Sequence, residues 1–154
     1  MCFTKNSFSI LICSLIILIC LLNCKQEARK DKIESILPTL PVEEIRSLLA
    51  NADATDFIFH NLPFSVNQSD LQSVRTTVSG IGIEPVYNAD CPALGRMFVQ
   101  VKGEIVMEAE IYYDGLSCHH YVFYQDKKPV YANQMQSNAI GFYNDLINSI
   151  NNQK

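Results

Sequence analysis

The segment from Glu104 to Tyr113 constrains this chain more than any other. Ile105, Met107, Ala109, Ile111 and Tyr113 occupy alternate positions, with Glu104, Val106, Glu108, Glu110 and Tyr112 between them. A two-residue period belongs to a strand, because helix faces repeat every 3.6 residues. One set is apolar and the other carries carboxylates, so the strand is expected to be half buried in an antiparallel sheet. Upstream, Met97, Val99 and Val101 alternate with Phe98, Gln100 and Lys102, and Gly103 sits where a tight turn would join the two strands. Asp114-Gly115 is a second turn signal, leading into a strand over residues 119–124. Gln125-Asp126-Lys127-Lys128 then turns the chain into a short fourth strand over 130–132.

The flanking segments have a different period. Pro41, followed by Glu43 and Glu44, is a helix start, and Val42, Ile45, Leu48 and Leu49 are spaced for a helix over about 42–51. Phe57-Ile58-Phe59-His60 reads as a buried strand ended by Asn61 and Pro63. Leu71, Val74 and Val78 predict a second helix, capped by Ser69 or Asn67 and stopped at Gly80. Residues 81–87 hold a short extended piece. Ser137 is placed to cap a last helix whose stripe is Ile140, Tyr143, Leu146, Ile147 and Ile150. The expectation is one α+β domain over residues 42–154, an antiparallel three- to four-stranded meander packed against two or three helices.

The N-terminus has another character. Lys5 is the one charge among the first nine residues, and residues 8–22 are apolar apart from Ser9 and Ser14. That run is short for a span, which needs about 20 residues, and has the signal-peptide pattern instead. Leu21-Leu22-Asn23-Cys24 follows. It resembles the lipobox of bacterial lipoprotein precursors, with Leu21 at the leucine position and Cys24 at the lipidated one, while Leu22 and Asn23 are bulkier than the small residues usual there. The resemblance covers residues 1–24. It implies a signal peptide over 1–23 and a mature protein held to the membrane by fatty-acyl chains such as palmitate on Cys24. The domain then stands in the bacterial cell envelope, outside the cytoplasm. Residues 24–41, with alternating charges and then Pro38 and Pro41, read as the tether. Ordinary secretion and an uncleaved anchor remain open as other readings of the same leader.

Of six cysteines, Cys2, Cys13 and Cys20 belong to the leader and Cys24 to the anchor. Cys91 and Cys118 remain, an even number in an oxidising compartment, and a disulfide between them is the first reading. Closing that loop would contribute roughly 3.5 kcal/mol in the chain-entropy model. The alternative is a free thiol at Cys118. On a strand Cys118 and His120 share a face, so they suit a thiolate–base pair or two metal ligands, with His60, Cys91 or an acid of the carboxylate stripe as the candidate third.

The 154 residues carry a net charge of −4, and −5 without the leader and its Lys5. An acidic chain does not suit nucleic acid, whose phosphates reward a basic surface. Gly80-Ile81-Gly82 lacks the rest of a phosphate loop, and no G-x-S-x-G or C-x-x-C is present. No cofactor is implied, and the sequence favours a binding domain over an enzyme. Its candidate face is Glu104, Glu108, Glu110 and Tyr112, offered to a protein or glycan partner. Intact mass of the protein from its native host tests the leader. An N-terminus at Cys24 carrying acyl mass is expected, and a retained leader would overturn the lipoprotein reading.

Overall fold

The computed structural model describes residues 35–87 and 90–151, so the signal peptide, Cys24 and the start of the tether lie outside the described residues. Two tight turns set up the sheet. Lys102 (φ 53°) and Gly103 (φ 80°) take the left-handed pair of conformations that a two-residue hairpin needs, joining β4 (Ala93–Val101) to β5 (Glu104–Tyr113). Asp126 (φ 50°) and Lys127 (φ 64°) do the same between β6 (His119–Gln125) and β7 (Lys128–Met135). Between β5 and β6 the Asp114 carboxylate accepts the backbone N–H groups of Leu116, Ser117 and Cys118 at 2.8, 2.9 and 2.9 Å. These bonds, that from Cys118 foremost, hold its carboxyl below the usual carboxylate range.

The meander β4–β5–β6–β7 is thus local, as the sequence predicts, but it is only part of the sheet. β1 (Ala54–Phe59) pairs antiparallel with β4, with Phe57 opposite Met97, and β2 (Ser65–Gln68) folds back on β1. β3 (Ile81–Pro85) pairs with β7. The result is one seven-stranded antiparallel sheet in the order β2-β1-β4-β5-β6-β7-β3. The class remains α+β, but the three- to four-stranded sheet expected from sequence is corrected to seven. Periodicity reveals a strand and its neighbour across a short turn. It carries no mark of pairing between segments some 40 residues apart. At the β1–β4 seam a Cβ on Gly95 would run into the Ile58 carbonyl oxygen and lie 2.8 Å from Phe59 Cα, so the close approach of these strands requires glycine.

Three helices cover one face. α1 (Val42–Asn51) starts after Pro41 as expected. α2 (Leu71–Ser79) is capped by Asp70, whose carboxylate accepts Ser73 N–H and Oγ–H at 2.9 Å each, and not by Ser69 or Asn67. α3 (Ser137–Asn151) begins with the Gln136 carbonyl accepting Ala139 and Ile140 N–H. Between them and the sheet lie Phe57, Met97, Val99, Ala109, Ile111, Tyr121, Phe123 and Tyr143, all essentially buried.

α2 connects β2 to β3, which stand at opposite edges of the sheet, and it touches both. Six strand spacings of about 4.8 Å would put flat edges about 29 Å apart. A helix of nine residues rises only about 13.5 Å. The sheet therefore coils around α2 and α3, as the twist of antiparallel strands allows.

Residues 35–40, assigned above to the tether, lie against the β7 edge. Ile36 N–H donates to Val86 O (2.9 Å), and the Pro38 carbonyl accepts Ala132 N–H (2.9 Å). Buried Asn133 closes the seam: its Oδ1 accepts Leu40 N–H at 2.8 Å and its Nδ2 donates to Gly82 O at 2.7 Å. Asn133→Ala leaves both backbone groups without that partner, and a loss of roughly 2–4 kcal/mol is expected from two such penalties. Chemical denaturation measures it, and a loss under about 0.5 kcal/mol, an ordinary surface value, would show that water replaces the bonds.

Candidate functional site

Among the described residues, the other face of the sheet carries no helix. Alternation places Asp56 and Ile58 of β1 there, with His60 just beyond it, Arg96, Phe98 and Gln100 of β4, Glu108, Glu110 and Tyr112 of β5, and His120, Val122 and Tyr124 of β6. Val86 and Leu37 cover its β6–β7 end, packing with Val122 and Ala132.

Glu110 is the hub of the polar part. One carboxylate oxygen accepts Tyr112 O–H at 3.0 Å and Tyr124 O–H at 2.9 Å, and the other lies 3.7 Å from His60 Nε2. Burial and the Glu110 hydrogen bond push the Tyr112 hydroxyl up to about 12 and raise Tyr124 for the same two reasons. Glu108 is bound to Arg96 at 2.7 Å. Of the expected face, Glu108, Glu110 and Tyr112 come together, whereas Glu104 sits apart at the hairpin tip opposite Val101.

Beside the hub is an apolar patch that sequence reasoning misplaced. The β4–β5 register shifts between Val99 and Gln100, so Ile105 stands opposite Gln100 on the helix-free face, 60% exposed, and Val106 is 51% exposed. The expected inward position of Ile105 is thereby corrected: a bulge exchanges the two faces of a strand beyond it. Ile105, Ile58 (54% exposed) and Phe98 line a shallow pocket of about 310 Å³ with Asp56 and Ser65. Asp56 is held by Asn67 Nδ2 at 2.7 Å and by Gln100 Nε2. Of these, Phe98 alone was legible beforehand, through its alternation with Met97 and Val99.

A second group adjoins the first through Tyr112. The Tyr112 ring stacks on His120 with centroids 4.8 Å apart and planes 6° from parallel. Cys118 Sγ lies 3.8 Å from His120 Nδ1, and Cys91 and Cys118 are bonded, with Cα atoms 6.4 Å apart, inside the usual disulfide range. His120 is 1% exposed and its Nε2 has no hydrogen-bond partner among the described residues. Burial, with His119 beside it, lowers its affinity for a proton. The sulfur–imidazole group is therefore Cys91, Cys118 and His120; of the candidate third members Cys91 joins it, while His60 lies with Glu110.

On the helix side, Phe57, Tyr121, Phe142 and Tyr143 floor a pocket of about 220 Å³ rimmed by Gln68 and Asn138. The Tyr121 and Tyr143 hydroxyls pair at 3.2 Å. Comparison of the chain with family models, with curated proteins and with solved structures finds no match.

Tyr112 gives a pH test. Its folded pKa is raised from 10.0 to about 12, so its contribution to stability is intact below about pH 10 and is lost as the pH rises toward 12. Tyrosine Cζ-resolved NMR is expected to find Tyr112 un-ionised at pH 11. In Glu110→Gln its midpoint falls, yet stays above 10 because burial remains. An unchanged midpoint would remove Glu110 as a cause.

Proposed function

We propose that the chain is a small bacterial envelope lipoprotein, anchored through Cys24, whose domain binds a protein partner with the helix-free face of its sheet and performs no catalysis. The observation that carries this reading is the cluster of Ile58, Phe98 and Ile105, which no helix among the described residues covers, rimmed by Asp56, Glu108 and Glu110. Contiguous apolar surface with a polar rim is the composition of a protein interface. Large apolar side chains left in water lose the burial that would otherwise stabilise the fold, at about 25 cal/mol per Å². A partner restores it. The rim is acidic and Arg96 is already engaged with Glu108, so a partner with cationic groups around an apolar anchor is the best complement.

A protein suits this face better than a glycan. Sugar rings stack on free aromatic faces, but the Tyr112 ring is stacked on His120, and both the Tyr112 and Tyr124 hydroxyls are committed to Glu110. The leader residues support the envelope location, and among the described residues no helix is long and apolar enough to cross a membrane.

The test is a photo-crosslinking residue at position 98 in native envelopes, with one at exposed Ile83 on β3 as control. A discrete adduct at 98, absent from the control and removed by Ile105→Lys, is expected. Ile105→Lys itself should change stability by less than about 0.5 kcal/mol, as an exposed substitution does. No adduct, or one that survives Ile105→Lys, would count against this face. Binding of the soluble domain to envelope glycans would favour the other partner class.

A further inference from the structure

We propose that, when the Cys91–Cys118 bridge is reduced, the protein holds one thiophilic divalent cation of the zinc class between Cys91 Sγ, Cys118 Sγ and His120 Nδ1. These three atoms lie within 4.8 Å of one another. Around a tetrahedral zinc, with bonds of about 2.3 Å to sulfur and 2.0–2.1 Å to nitrogen, neighbouring ligand atoms stand about 3.5–3.8 Å apart. Cys118 Sγ and His120 Nδ1 are already 3.8 Å apart.

The surroundings hold the donors in place. Cys118 and His120 share a face because one residue separates them at the start of β6. The Asp114 carboxylate fixes the backbone at Cys118 through that residue's N–H, and Tyr112 fixes the plane of the imidazole. The Nε2–H tautomer of His120 leaves the Nδ1 lone pair facing Cys118 Sγ. Cys91 is half-exposed and gives water a route to the fourth position.

The chemistry balances with a dithiol as reductant. The S–S bond breaks, two electrons and two protons pass to the two sulfurs, and the dithiol closes to its own disulfide. Binding the cation then forms two sulfur–metal bonds and releases two protons. Two thiolates and an imidazole select zinc-like ions over calcium or magnesium, which want oxygen. Bridge and metal exclude each other, since each uses both sulfurs.

The experiment uses the full chain with Cys2, Cys13, Cys20 and Cys24 replaced by serine, so that 91 and 118 are the remaining thiols. The protein is reduced with a phosphine and titrated anaerobically with Co²⁺. One thiolate-to-cobalt charge-transfer band per chain, saturating at one equivalent and displaced by Zn²⁺, is expected. The oxidised protein gives none. His120→Ala keeps both thiols and weakens binding by at least roughly tenfold, the loss typical even of an outer-shell partner. If reduction unfolds the domain, circular dichroism decides: recovery of the native spectrum on adding Zn²⁺ supports the site, and no recovery overturns it. A reduced, folded protein without the band, or a band unchanged in His120→Ala, overturns it as well.

Discussion

The fold turns on one length: α2 has nine residues and joins strands at opposite edges of a seven-stranded sheet. A flat sheet of that width is out of its reach, so the strands coil until both edges meet the helix. All the packing follows. The concave side closes on α2 and α3, which gives Phe57, Met97, Ile111, Tyr121 and Tyr143 a water-free interior. The other side is left outside the coil, where no helix among the described residues covers it. One geometric demand thus makes the core and exposes the face that carries the candidate chemistry.

That outer face is graded along the strand order. At the β6–β7 end, Val86 and Leu37 shield Val122 and Ala132, and residues 35–40 are fastened through Asn133. In the middle, Glu110 takes two phenol protons, and Tyr112 links it to His120 and the sulfur pair. Toward β1 the surface opens into Ile58, Phe98 and Ile105. A partner covering the open end would lie next to the Glu110 hub and, through the Tyr112 ring, near the disulfide. Occupancy of the one and the redox state of the other are physically adjacent.

Much of the local structure was legible. Two-residue alternation marks β4 and β5, the 3.6-residue spacing marks all three helices, and both tight turns carry their residues at the predicted places. The pairing of Cys91 with Cys118 also followed, because removing the leader and anchor cysteines leaves two. The errors share one cause. The strand count fell short because β1–β4 and β3–β7 pairing joins distant segments. Ile105 was assigned to the core because a single bulge, invisible in a pattern of apolar letters, turned it outward. Residue type put His60 and Cys91 level as third partners of Cys118 and His120, and position brings in Cys91.

By itself the sequence determined the class, the three helices, the strands other than β2 and the tight turns. These depend on the backbone period and on φ preferences of a few residues, which are local properties. Tertiary structure alone decided which distant strands are neighbours, which face Ile105 shows, and which of the candidate donors meet beside Tyr112. Those outcomes depend on hydrogen-bond register between segments far apart in the chain, and a shift of one residue in that register exchanges inside for outside.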